Sequence, residues 1–255
     1  MLVHGSWVDH HVWDAVVPLL AGSLRVLTFD RRGHSASERT PSQGSMEEDA
    51  RDLAALIETL DLAPAHVAGI SWGGSIVLRL ASKRSELFLS LIAHEPPLFA
   101  LVADDVECRD DLRALSSVLE IVAERLGEGD LEGGARHYVD EVAYEPGAWA
   151  RLTEEVRRTY VDNARTYLDQ RLSLDQWSAD LTALSDFPHP ALLTQGDQRA
   201  AMFGRILDRV AEALPEPRRK TLPGTAHAPQ LTHPTAYAEA ILAFTSKTKA
   251  TASLR

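Results

Sequence analysis

The sequence has little cysteine, few basic residues and no long apolar run. Cys108 is the one cysteine among 255 residues, so no internal disulfide can form and nothing argues for an oxidising compartment. Lys and Arg total 26 against 37 Asp and Glu, and the formal net charge of −11 disfavours binding to nucleic acid or anionic lipid. No stretch approaches the ~18 apolar residues of a membrane helix, and the start of the chain lacks the pattern of a signal peptide. A cytoplasmic protein with no nucleic-acid or membrane partner is therefore expected.

Metal-binding patterns are missing too. The 10 histidines include no H-E-x-x-H motif, and a lone cysteine offers no paired Cys/His spacing. The adjacent His10 and His11 are expected to point apart into solvent. The sequence therefore predicts neither a metal site nor a cofactor. Its 45% hydrophobic content, with 15 Gly and 13 Pro, excludes collagen-like and disordered classes.

Short apolar runs alternate with helical patterns along most of the chain. The runs cover residues 2–3, 25–30, 66–70, 89–94, 191–195 and 218–222. Runs that are apolar throughout, rather than alternating, are typical of parallel strands buried on both faces. The sequence therefore predicts an α/β fold in which a mostly parallel sheet is flanked by helices.

Helical periodicity marks the connections and one long insertion. Ser45 and Glu48 have the spacing of a capping box at the start of a helix over residues 45–60. Further helices are expected over residues 72–81, 203–214 and 234–244. Residues 104–186 keep helical periodicity without a convincing strand, which predicts a helical cap inserted into a core domain of residues 1–103 and 187–255.

The strongest local motif is Gly69-Ile70-Ser71-Trp72-Gly73, a G-x-S-x-G pattern. In a nucleophile elbow, this pattern places a serine on a sharp turn between a strand and a helix, with its hydroxyl exposed above the sheet. The predicted context agrees, because an apolar run precedes the motif and an apolar helix follows it. Ser71 is therefore the candidate nucleophile, although a glycine-rich packing turn would share the pattern.

A serine nucleophile needs a base and an oxyanion hole. His227 follows the last apolar run and lies late in the chain, where this architecture places its histidine. The backbone amides expected to bind the oxyanion are those of Trp72, directly after the nucleophile, and Ser6, in the loop after the first strand. The polar turn over residues 30–35 is interpreted as scaffolding.

Two carboxylates could orient the histidine. Asp197 follows a glycine at the end of the penultimate strand, although the commoner acid position falls two residues later, on Arg199. Glu95 ends the strand that follows the nucleophile's strand, and two prolines after it rigidify the chain. Spacing alone leaves both acids open.

Six motifs in this order resemble the α/β-hydrolase superfamily. They are LVHG, FDRRGHSAS, GISWGG, IAHEPP, LLTQGD and PGTAH, and they lie between residue 2 and about residue 245. The IAHEPP segment is similar to that of the zearalenone-type lactonases, whose triad acid is a glutamate on this strand, and this resemblance favours Glu95. Members of the superfamily usually have a strand pair before the LVHG strand, and we expect the sheet to lack that antiparallel pair.

The resemblance implies a serine hydrolase that cleaves a small apolar ester or lactone through an acyl-enzyme. A cofactor-free haloperoxidase or perhydrolase would use the same triad, and a receptor on this fold would bind a ligand without turnover. These alternatives share every motif above, so the sequence does not separate them. Serine at position 71 excludes relatives with an aspartate nucleophile.

Overall fold

A computed structural model describes residues 1–39, 44–144, 146–171, 177–198 and 201–252, with side chains as far as residue 247. Five parallel strands form one sheet in the order β1-β2-β3-β4-β5. Their bounds are β1 Leu2–Val3, β2 Ala65–Ile70, β3 Phe88–His94, β4 Ala191–Gly196 and β5 Pro217–Leu222. The predicted parallel α/β sheet is confirmed, and the described residues add no antiparallel pair to it.

The prediction of a strand over residues 25–30 is wrong. This segment makes one isolated parallel bridge, between Thr28 and Leu2, and Leu27 O accepts a hydrogen bond of 2.9 Å from Leu2 N. The physical reason is the shortness of β1, whose two residues offer too few backbone groups for a ladder. The segment is also exposed or half-buried throughout, unlike the strands inside the sheet.

Eleven α-helices are formed by the described residues. They are α1 Val17–Ala21, α2 Met46–Thr59, α3 Trp72–Ala81, α4 Arg109–Gly127, α5 Leu131–Tyr138, α6 Ala148–Arg151, α7 Glu154–Arg171, α8 Leu181–Leu184, α9 Ala201–Ala213, α10 Pro229–Thr232 and α11 Pro234–Ala252. Short 3-10 helices lie at His10–Trp13, Ser85–Leu87, Phe99–Val102 and Val106–Cys108, and a π-helix lies at Val139–Ala143. The capping box of Ser45 and Glu48 is confirmed, with both reciprocal hydrogen bonds at 3.1 Å. None of these helices is long and apolar enough to cross a membrane.

Helices cover both faces of the sheet. Neighbouring strand residues point to opposite faces, so Leu91 packs with α2, α3 and α9, whereas Ile92 packs with α1 and α11. A third apolar cluster is built by α4, α5 and α7 and receives Trp7 from the loop after β1. The described residues between 104 and 186 contain no strand. Because Trp7 follows β1 and packs in the third cluster, the carboxyl end of β1 lies beside this helical segment.

Candidate active site

Ser71 lies on a sharp turn between β2 and α3. Its φ of 51° and ψ of −125° are strained for a residue other than glycine. The flanking glycines are required sterically, because a Cβ at Gly69 would overlap the Gly73 carbonyl and one at Gly73 would overlap the carbonyl of Val3. The motif thus supplies the close approach that an exposed nucleophile needs.

His227 and Glu95 are joined by a short hydrogen bond. His227 Nδ1 lies 2.6 Å from Glu95 Oε2, and the Glu95 side chain is fully buried. Glu95 directly follows β3 with a φ of 41°, and its second oxygen, Oε1, accepts a hydrogen bond of 2.8 Å from Gly196 N. Each carboxylate oxygen therefore has a hydrogen-bond partner, and the two contacts fix the orientation of the carboxylate relative to the His227 ring.

The charge of Glu95 is strongly stabilised. Burial by itself raises the pKa of this carboxyl, but the hydrogen bond and the electrostatic interaction with His227 lower it. His94 and the Gly196 amide act in the same direction, and the resulting pKa is about 2. Glu95 is therefore ionised at neutral pH, as required of a group that stabilises an imidazolium.

Asp197 lies close by but holds a different group. Its Oδ1 accepts a hydrogen bond of 2.8 Å from Gly224 N, in the loop that leads to His227. The structure therefore brings Glu95, and not Asp197, into contact with the His227 ring. Arg199, which occupies the commoner acid position, lies outside the described residues.

The two expected oxyanion residues approach Ser71 from different elements. A Cβ added at Gly5 would lie 3.2 Å from Ser71 Cβ, so the loop that contains Ser6 passes directly beside the nucleophile. Trp72 is the first residue of α3, and the Ser71 side chain does not cap the helix there. An uncapped first turn offers backbone amides to an anion.

One cavity of about 430 Å³ contains these groups. The predicted residues Ser6, Ser71, Trp72 and His227 all line it. The rest of its lining is mainly apolar and comes from the chain after β3, the helical segment and α9, with Phe99, Leu115, Leu119, Tyr138, Val142, Tyr167, Trp177, Met202 and Phe203 among it. The carboxylates of Asp111 and Glu141 also line the cavity.

A buried ion pair beneath the site was missed by the sequence analysis. Arg31 Nη1 donates to Asp49 Oδ2 at 2.7 Å, and Trp72 Nε1 donates to the same oxygen at 2.9 Å. Asp49 could have been noticed as an acid on the otherwise apolar face of α2, between Met46 and Leu53. Arg31 belongs to the turn that was interpreted as scaffolding.

Three further histidines, His10, His11 and His94, lie beside carboxylates. The expectation that His10 and His11 point apart is wrong, because their ring centroids are 4.0 Å apart. Their Nδ1 atoms bind different carboxylates, those of Asp30 and Asp9, which draws the rings onto one side of the 3-10 turn. The sequence analysis also overlooked His94, which is buried beside Glu95 with its Nε2 3.9 Å from Oε2.

Comparison with known proteins agrees with this fold. The model of the Alpha/beta hydrolase family matches residues 1–240. A putative non-heme bromoperoxidase of Mycobacterium tuberculosis is 40% identical over 87 residues, which are 34% of this chain and 31% of the relative. A 3-oxoadipate enol-lactonase of Acinetobacter baylyi is 30% identical over 118 residues, which are 45% of this chain and 43% of the relative. The matched segments thus span less than half of these relatives.

The structural comparison covers nearly the whole chain. A thermophilic esterase from Thermogutta terrifontis superposes with a TM-score of 0.75 at 23% identity, over 97% of this chain and 89% of that one. At this identity the similarity demonstrates the fold alone. Together with the family match over residues 1–240, it establishes that the chain belongs to the alpha/beta hydrolase family.

Proposed function

We propose that this protein is a serine hydrolase that cleaves a carboxylic ester or lactone of a small apolar substrate through an acyl-enzyme. One observation carries the proposal most directly. The His227 ring that shares a cavity with Ser71 is held at 2.6 Å by a fully buried, ionised carboxylate, Glu95. An imidazole fixed in this way has a defined tautomer, with Nδ1–H donating to the acid and Nε2 available as a base.

The proposed reaction has two steps. Ser71 Oγ attacks the substrate carbonyl while His227 Nε2 takes its proton, and the amides of Ser6 and Trp72 bind the oxyanion. The carbon–oxygen bond to the leaving alcohol then breaks, and His227 returns the proton to that oxygen. Water attacks the acyl-enzyme by the same route, with His227 again as base, and releases the acid and free Ser71. Glu95 remains ionised throughout and stabilises the imidazolium.

The volume and the lining of the cavity favour a small and largely apolar substrate. Its volume of about 430 Å³ is at the lower end of the range for ligand pockets, roughly 300–1,000 Å³. Aromatic and aliphatic side chains make up most of the lining, and Ser6, Ser71 and His227 are among its polar residues. Enol-lactonase and esterase relatives agree with this class of substrate.

We also propose that residues 104–186 act as a cap over a core of residues 1–103 and 187–255. Side chains from α4, α5 and α7 line the cavity opposite Ser71, among them Leu115, Tyr138 and Tyr167. Their apolar faces are held together by their own cluster, into which Trp7 packs. Substrate size would then be set by the cap, whereas the reacting groups belong to the core.

A fluorophosphonate probe tests the proposed nucleophile. The probe forms a bond between phosphorus and Ser71 Oγ with loss of fluoride, and labelling should occur in the wild type and be absent in Ser71→Ala. Steady-state hydrolysis of a graded series of p-nitrophenyl esters and γ- and δ-lactones would then define the substrate. An unlabelled, inactive wild type would reject the hydrolase and favour a receptor that binds without turnover.

The bromoperoxidase relatives favour one alternative. In that reaction hydrogen peroxide replaces water as the attacking nucleophile on the acyl-enzyme, which yields a peracid and free Ser71. The same residues would perform both reactions, so the ratio of peracid formation to hydrolysis decides between them. With ethyl acetate as acyl donor in dilute hydrogen peroxide, both peracetic acid and acetate are net products, and a yield of peracetic acid that exceeds that of acetate would identify a perhydrolase.

A further inference from the structure

The buried pair of Arg31 and Asp49 connects the two elements that would supply the oxyanion amides. The side chains of Arg31 and Asp49 are 2% and 1% exposed, and Arg31 Nη1 lies 2.7 Å from Asp49 Oδ2. Arg31 Nη2 donates to Gly5 O at 3.0 Å, and Nε donates to His4 O at 3.2 Å. Asp49 Oδ2 accepts from the indole of Trp72 at 2.9 Å. A single ion pair therefore contacts both the loop after β1 and the first residue of α3.

The contact with Gly5 determines the direction of the Ser6 amide. The peptide bond between these residues is trans, since the cis bond of the described chain lies at Ala63-Pro64. In a planar trans peptide the C=O and the following N–H point in opposite directions. Because Gly5 O points to Arg31, Ser6 N–H points away from Arg31, and Ser6 itself lines the cavity that contains Ser71.

His4 strengthens this orientation. Its Nε2 accepts a hydrogen bond of 2.9 Å from Arg31 N, so the ring proton of the neutral imidazole is on Nδ1. Nδ1 lies 2.8 Å from Gly5 O, which therefore receives two donors. Burial, reinforced by the charge of Arg31, lowers the pKa of His4 to about 3, so the ring keeps this tautomer at neutral pH.

On these contacts we propose that Arg31 and Asp49 are positioning residues, which aim the Ser6 amide and hold the Trp72 amide for the oxyanion. The proposal rests on the proposed serine hydrolysis. Stability alone is a weak reason for this pair, because a buried ion pair is often no more stabilising than apolar groups of the same volume. Neither side chain is among the residues that line the cavity, so they act through the backbone that they hold.

Arg31→Lys is the direct test, with Arg32→Gln as its matched control. Lysine keeps the charge but loses the planar fork that reaches Asp49 and two carbonyls together. Since loss of an oxyanion donor costs about 100- to 1,000-fold in kcat, we expect misaiming to cost at least about tenfold, with KM within about twofold. Arg32 pairs with Asp52 on a partly exposed surface, and its replacement should change kcat by less than about twofold.

A pair of ketone inhibitors separates positioning from a general loss of structure. A trifluoromethyl ketone accepts Ser71 Oγ at its carbonyl carbon and places an oxyanion in the hole, with the serine proton on His227. The matching methyl ketone binds without this addition. Arg31→Lys should weaken the trifluoromethyl ketone by about the same factor as kcat, and should leave the methyl ketone unchanged. Equal weakening of both ketones, or unchanged affinity for both, would overturn the proposal.

Trp72→Phe keeps the test informative if Arg31→Lys does not fold. This change retains the amide and the charge pair and removes the indole–carboxylate hydrogen bond. It also removes part of the buried indole that lines the cavity, an effect that both ketones experience and that the ratio of their affinities therefore cancels. The ratio of the two ketone affinities should fall by at least about threefold, because a hydrogen bond to a charged group is lost. An unchanged ratio overturns the proposal. A wild type that neither hydrolyses esters nor takes the fluorophosphonate would instead reject the hydrolase itself.

Discussion

Glu95 and His227 are separated by 132 positions in the chain, yet Glu95 Oε2 and His227 Nδ1 are 2.6 Å apart. The contact depends on the adjacency of β3 and β4, which places Gly196 N on the other oxygen of the carboxylate. Asp197, three residues after Thr194 on β4, faces the Gly224 amide instead.

Ser71→Ala should abolish hydrolysis without unfolding the protein. The side chain makes no helix-capping hydrogen bond, and the close approach at the elbow depends on the glycines. We expect less than about a hundredth of wild-type kcat, the residual activity coming from the oxyanion hole and binding. Turnover measured with circular dichroism on the same sample provides the check, and a mutant that retains more activity would exclude Ser71 as nucleophile.

Glu95→Gln should lower kcat far more than Asp197→Asn. The first change removes the charge that stabilises the His227 imidazolium, and a loss of several orders of magnitude, about 10³–10⁴-fold, is expected. The second keeps an oxygen that can accept from Gly224 N, so its cost should be below about tenfold. Both kcat values should be measured on one ester. A larger loss in Asp197→Asn would restore the penultimate-strand acid.

Glu95 should also make folding stability depend on acid pH. Its pKa is lowered from 4.5 to about 2 in the folded protein. The resulting stabilisation is complete above the unfolded value of 4.5 and is lost as the pH falls towards 2, by about 3 kcal/mol in all. Urea unfolding of wild type and Glu95→Gln should converge as the pH falls from 6 to about 3.5. Parallel curves across that range would contradict the expected shift.

Gly73→Ala should disrupt the elbow, whereas Gly22→Ala should be tolerated. A Cβ at Gly73 would overlap the Val3 carbonyl, but a Cβ at Gly22 has no atom within 4 Å. We expect a loss of at least about 3 kcal/mol in the free energy of unfolding for the first variant and less than about 0.5 kcal/mol for the second. Urea denaturation of both variants measures this directly, and similar midpoints would show that the elbow can relax.

The carboxylates of the cavity should select against anionic esters. Asp111 and Glu141 line it, and the described lining residues include no Lys or Arg. We expect p-nitrophenyl butyrate to be cleaved faster than mono-p-nitrophenyl succinate, and Glu141→Gln to narrow the ratio by about three- to tenfold at low salt. Leu119→Ile, a change in the same lining without a charge, serves as control. An unaltered ratio would place Glu141 too far from the acyl group to influence it.

Local signals in the sequence were sufficient for several elements. The capping box between Ser45 and Glu48 and the apolar run before Ser71 act over a few residues, so α2 and the elbow could be predicted without knowledge of the fold. The prediction of a strand over residues 25–30 was wrong although the segment contains apolar residues, because its partner β1 is two residues long. Strand formation depends on the neighbour as much as on the segment itself.

Short-range periodicity, turn chemistry and chain order were sufficient to predict the α/β class and to select Ser71 and His227 as candidate site residues. The choice between the two carboxylates needed the folded chain, because Glu95 and Asp197 follow neighbouring strands and their side chains contact different groups, His227 and the Gly224 amide. The contacts of Arg31 with His4, Gly5 and Asp49 were also absent from the sequence pattern, because they come from two segments that are distant from Arg31 in the chain. Such contacts depend on strand order and loop packing, which no local pattern encodes.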